Sequence, residues 1–126
     1  MITIFYNNLI SKIQHLKSKK AASICSNFFA FKTKKYQKYI EGLDKSIKLL
    51  KKNYTYFEKS GLLENNNLYV FYFKCKSELL SLSYSFLKDS NKKVFGAINR
   101  SLWGSYSAVK HVIKLLDKMF QEFDNE

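Results

Sequence analysis

Residues 95–123 read FGAINRSLWGSYSAVKHVIKLLDKMFQEF. Within them Phe95, Ile98, Leu102, Ser105, Val109, Val112, Leu116, Met119 and Phe123 step 3, 4, 3, 4 to the end, and Ser105 alone is not apolar. That spacing is the seam of a helix packed lengthwise against other helices. It predicts a helix over 93–124. The same spacing recurs upstream. Tyr36, Ile40, Leu43, Ile47, Leu50, Tyr54 and Phe57 predict a helix over 22–59, on the order of 55 Å long at ~1.5 Å per residue. Leu68, Tyr72, Cys75, Leu79, Leu82 and Phe86 predict another over 67–88. A shorter set, Ile2, Phe5, Leu9, Ile13 and Leu16, predicts a first helix over 2–19. Where the first helix gives way to the one over 22–59, Lys17-Ser18-Lys19-Lys20 is a place where the chain either turns or continues.

One competing signal is settled by length, and turn chemistry marks the helix ends. LYVFYF at 68–73 favours a strand locally, but the heptad continues well past it and no partner strand is offered. Ser60-Gly61 suits a helix end, since glycine is favoured just past a C-terminus. Glu64-Asn65-Asn66-Asn67 reads as loop and cap, and Asp89-Ser90-Asn91-Lys92 as a short connector. Short connectors imply antiparallel neighbours. The expected fold is all-α, one helical domain over 1–126, either an antiparallel long-helix coiled coil or a three- or four-helix bundle. Gly42, inside the second helix, marks a bend or a close helix contact.

Composition agrees. The chain has 126 residues, is 46% hydrophobic and contains no proline, so it has apolar surface for a core and few helix breakers. The longest apolar run is six residues, far short of a membrane span. MITIFYNNLI lacks the basic start of a signal peptide. Cys25 and Cys75 belong to no metal or redox motif, which fits a reducing cytoplasm. The expected location is cytoplasmic, with peripheral attachment at the inner face of the membrane left open.

Charge is uneven. The net charge is +12, and residues 1–60 hold 13 lysines against Glu41, Asp44 and Glu58. An anionic partner for the first half accounts for this. So does the codon bias of an AT-rich genome, which also enriches Lys, Asn, Ile, Phe and Tyr. Aromatics interleave with lysines at 28–39, the pattern of single-stranded nucleic-acid binding. The seam itself explains Phe29 and Tyr36. Off the seam stand Phe31, Tyr39 and Trp103, and with Lys34, Lys35, Lys38 and Lys45 they form the candidate partner-binding set.

Catalytic patterns are missing. His15 and His111 lie far apart, and Arg100 and His111 are eleven residues apart, unlike the closely spaced Arg and His of helical RNases of the HEPN type. Glu41 and Asp44 sit one turn apart among lysines, as on a salt-bridged surface. No phosphate loop, metal-ligand spacing or nucleophile elbow is present. The expectation is a non-enzymatic chain with no cofactor and no metal.

YQKYIEGLDKSI at Tyr36–Ile47 resembles a segment of the flagellar export protein family FliJ, and ASICSNFF at Ala22–Phe29 is similar to the stretch that precedes it there. The resemblance implies a long antiparallel coiled coil in the flagellar type III export apparatus. Its partners would be the ring of the export ATPase and the export gate, and it would escort export chaperones. Two alternatives stand beside it. One is a small basic bundle binding RNA or DNA within a nucleoprotein complex. The other is an immunity-type bundle acting on a membrane-borne partner. The seams leave oligomeric state open.

Overall fold

The computed structural model describes residues 1–25, 30–65, 68–90, 93–94, 97–98 and 103–124, of which 30–33, 65, 90, 93–94, 97–98 and 124 by backbone alone. Four helices run in order: α1 (Ile2–Cys25), α2 (Ala30–Lys59), α3 (Leu68–Ser90) and α4 (Trp103–Asp124). A short 3-10 helix, Leu62–Asn65, precedes α3. A two-residue antiparallel pair, β1 (Lys93–Val94) with β2 (Ala97–Ile98), precedes α4. The fold is an all-α helical bundle.

Neighbours in sequence run antiparallel. Tyr6 stacks on Tyr54 while Lys17 pairs with Asp44, so α1 and α2 are opposed. Phe57 meets Phe71 while Lys45 lies over Phe86, which opposes α2 to α3. Tyr69 meets Phe120 while Lys76 pairs with Asp117, opposing α3 to α4. α2 and α4 therefore run parallel across the bundle diagonal, and α1 and α3 flank them on opposite sides.

The predicted seams are the core. Ile2, Phe5, Leu9 and Ile13 of α1 are buried, as are Leu68, Tyr72, Cys75, Leu79 and Phe86 of α3. In α4, Ser105, Val109, Val112, Leu116 and Met119 are buried. Burial of the Cys75 thiol, with Glu78 nearby, pushes its pKa up to about 12, so it acts as a small apolar group. In α2 the buried stripe is Leu43, Ser46, Leu50, Asn53 and Phe57. It is rotated from the apolar seam, of which Tyr36, Ile40, Ile47 and Tyr54 are only half-buried.

That rotation lets α2 and α4 approach closely. A Cβ on Gly42 would stand 2.6 Å from the Ser105 carbonyl oxygen and 2.8 Å from the Ala108 Cβ. One on Gly104 would collide with the Lys35 carbonyl. Ser105 Oγ donates to the Lys38 carbonyl at 2.6 Å, and Ser46 Oγ to the Gly42 carbonyl at 2.8 Å. Ser105 sits where a larger side chain would hold the helices apart.

Three predicted boundaries are corrected. The helix expected over 22–59 starts at Ala30, because residues 22–25 belong to α1. The helix expected over 93–124 starts at Trp103, because Lys93–Val94 and Ala97–Ile98 pair as strands. Gly96 divides that run, and Val94 and Ile98 are β-branched. Ile98 therefore leaves the seam, while Phe95 and Leu102 lie outside the described residues. The first helix does not end at residue 19. Lysines are good helix formers, so Lys17-Ser18-Lys19-Lys20 continues the turn and α1 runs to Cys25. Asn66 and Asn67 of the expected loop and cap, and Asn91 and Lys92 of the expected connector, lie outside the described residues, while Asp89 and Ser90 belong to α3. At the other end of α2, Gly61 takes φ +69° and donates its N–H to the Glu58 carbonyl, the expected glycine termination.

Candidate functional site

The α2–α4 crossing gathers most of the candidate residues. Gly104 abuts Lys35, Lys38 and Tyr39, which sets Trp103, first residue of α4 and 48% exposed, beside that stretch of α2. Lys34 and Lys35 are exposed. Lys38 is half-buried, and its Nζ pairs with Glu41 at 3.2 Å. The side chain of Phe31 lies outside the described residues. Lys45 stands apart: it faces α3, with its Nζ 4.9 Å from the Phe86 ring centroid.

Tyr39 is where three helices meet. Its hydroxyl hydrogen-bonds His111 Nδ1 of α4 at 2.9 Å. Lys20 of α1 lies over the same ring, 4.9 Å from its centroid, and over Tyr36 at 4.5 Å. Clefts open on both sides of the Tyr39–His111 pair. One, of about 340 Å³, is lined by Leu16, Lys19, Lys20 and Ser23. The other, of about 370 Å³, is lined by Ser107, Lys110 and Lys114. Lys19, Lys20, Lys110 and Lys114 thus flank one hydrogen-bonded pair. The ion pairs among the described residues are Lys17–Asp44, Lys38–Glu41 and Lys76–Asp117, and none uses these four.

The electrostatics follow from that crowding. Burial, then the charges of Lys114 and Lys20, lower the His111 pKa below its ordinary value. Burial raises that of the Tyr39 hydroxyl. At neutral pH both are uncharged, and the positive charge resides on the lysines. Such a site attracts anions, and every anionic group that enters relieves lysine–lysine repulsion.

A second groove, about 500 Å³, runs between α2 and α3 and is lined by Lys45, Lys48, Lys52 and Glu78. Here Glu78 also accepts from Asn53 Nδ2, so this groove carries a carboxylate among its lysines. No group of histidine, cysteine or carboxylate side chains among the described residues is arranged to hold a metal ion. No described helix is long and apolar enough to cross a membrane.

His111, Lys19, Lys20, Lys110 and Lys114 were not in the candidate partner-binding set, and His111 was weighed only as a catalytic histidine. Their grouping depends on the packing of α1 beside α4, which no local spacing reports. The one available signal was Lys110, His111 and Lys114 within about one turn of a single helix. No family model matches this chain, and neither a curated protein nor a solved structure matches it.

Proposed function

We propose that this protein is a non-enzymatic basic helical bundle that binds a polyanion, a nucleic-acid strand, through the face formed by α1, α2 and α4. The observation that carries this is the convergence of Lys19, Lys20, Lys110 and Lys114 on the Tyr39–His111 pair. Phosphates occupy the two clefts, and exposed Trp103 offers a ring face to a base alongside. Fluorescence anisotropy with an RNA oligonucleotide at graded salt tests it. Each phosphate contact on a single strand contributes about −0.7 to the slope of log K against log salt. Four contacts give a slope near −3. A flat response, or no binding at low salt, overturns the proposal.

The FliJ-like function is the second candidate, favoured by Tyr36–Ile47. In that segment Gln37, Glu41, Asp44 and Lys45 are exposed on α2, with Glu41 paired to Lys38 and Asp44 to Lys17. Co-purification with a flagellar export ATPase ring and its gate protein tests this function. Failure to bind either removes it.

A further inference from the structure

The seam of α3 is already buried, yet a second apolar stripe follows on its outer face. Tyr69, Phe73 and Tyr84 are 61%, 48% and 66% exposed, and Leu80 is half-buried between them. A helix with two seams is built for two sets of neighbours. We infer that this stripe is the two-fold interface of a homodimer, in which α3 packs antiparallel on α3 of a second copy.

Three observations select a second copy as the occupant. The stripe is symmetric along the helix: the midpoint of Tyr69 and Tyr84, and that of Phe73 and Leu80, both fall between Lys76 and Ser77. An antiparallel pairing about that point sets tyrosine against tyrosine and Phe73 against Leu80, which is what a self-complementary patch requires. Phe73 and Tyr84 also flank a hollow of about 390 Å³ over Ser77 and Ser81, able to receive a ring from the opposite copy.

Charge points the same way. α1 and α2 hold most of the excess lysine, whereas α3 sets Lys74, Lys76 and Lys88 against Glu78 and Asp89. α3 flanks the bundle on the side away from α1, so two copies joined there keep their basic faces apart. Lys76, nearest the axis, is tied to Asp117 at 3.1 Å and presents little net charge to its counterpart.

The area is sufficient and no more. At about 200 Å² for a whole aromatic side chain, the exposed parts of Tyr69, Phe73 and Tyr84 amount to roughly 350 Å² per copy. With Val70, Leu80 and the serines the patch is on the order of 500 Å², so a pair covers about 1,000 Å², the floor for a specific interface. An interface of that size forms and dissociates with concentration.

Sedimentation equilibrium over a range of concentrations tests the inference, which is independent of the polyanion proposal. The expected mass rises from the 14.9 kDa monomer toward twice that value. Ser77→Arg fills the hollow and adds a charge at the axis, on an exposed position that makes no core contact. It is expected to hold the chain at monomer mass with an unchanged far-UV circular dichroism spectrum. Tyr84→Glu is expected to do the same, and decides alone if Ser77→Arg loses helicity. A wild-type chain that stays monomeric at every concentration overturns the inference, as does association that survives both substitutions.

Discussion

His111 is neutral because of what surrounds it, and that gives it opposite pH signatures in the free and bound protein. It is exposed at one edge, hydrogen-bonded to Tyr39, and faced by Lys20 from α1 and Lys114 on its own helix, with Lys19 and Lys110 lining the same clefts. In the free protein its pKa lies below the ordinary value of 6.5. The unfolded chain therefore binds the proton more readily, and stability falls as pH drops through and below 6.5, levelling off under the folded value. A bound phosphate reverses the sign: it favours the imidazolium, so binding takes up a proton and tightens over the same window. Thermal melts and oligonucleotide titrations at pH 7.5 and 5.5 separate the two effects. His111→Gln is expected to flatten both dependences. A binding affinity that ignores pH in the wild type places the anion away from Tyr39–His111.

At the scale of elements, the close α2–α4 approach and the aromatic cluster at one end of the bundle make separate demands. Gly42→Ala gains about 1 kcal/mol of helix propensity. It also drives a methyl into the Ser105 carbonyl and Ala108. Overpacking of that kind costs about 1–3 kcal/mol, so a net loss of up to about 2 kcal/mol is expected in urea unfolding. Gly104→Ala behaves the same way, and a gain in stability from either would show that the helices can part freely. Phe71 is fully buried against Phe5, Tyr6 and Phe57 at ring distances of 5.3–6.5 Å. Phe71→Ala is expected to remove about 3–5 kcal/mol, a large part of the stability of a domain this size.

The same elements explain what could be read in advance. The seams of α1, α3 and the body of α4 were legible because apolar burial imposes its period on the residues themselves. In α2 the buried positions include Gly42, Ser46 and Asn53, residues chosen for size and hydrogen bonding, which an apolar count passes over. The start of α4 was misread because the heptad spacing runs on through Ile98, while Lys93–Val94 and Ala97–Ile98 find each other as strands. For the site, Lys34, Lys35, Lys38, Tyr39 and Trp103 were proposed from local pattern. His111 and Lys20 were not, since their meeting at Tyr39 depends on which helices become neighbours.

At the scale of the whole molecule, the question is whether lysine is concentrated for binding or merely abundant. α2 carries lysines toward both of its flanks: Lys35 and Lys38 beside α4, and Lys45, Lys48 and Lys52 on the groove shared with α3. If affinity came from abundance, any two lysines would count equally, because a diffuse cation cloud is sensitive to total charge. If the Tyr39–His111 clefts hold phosphates, position matters. Lys20→Gln with Lys114→Gln is then expected to lower the magnitude of the salt slope by about 1.4, two contacts' worth of released counterions on a single strand. Lys45→Gln with Lys52→Gln removes the same charge from the groove that contains Glu78 and is expected to leave the slope nearly unchanged. Both double variants alter side chains outside the buried core, so circular dichroism should match the wild type. Equal losses in the two would assign binding to net charge alone and dissolve the site, whereas a loss confined to the first ties it to the place where α1, α2 and α4 meet.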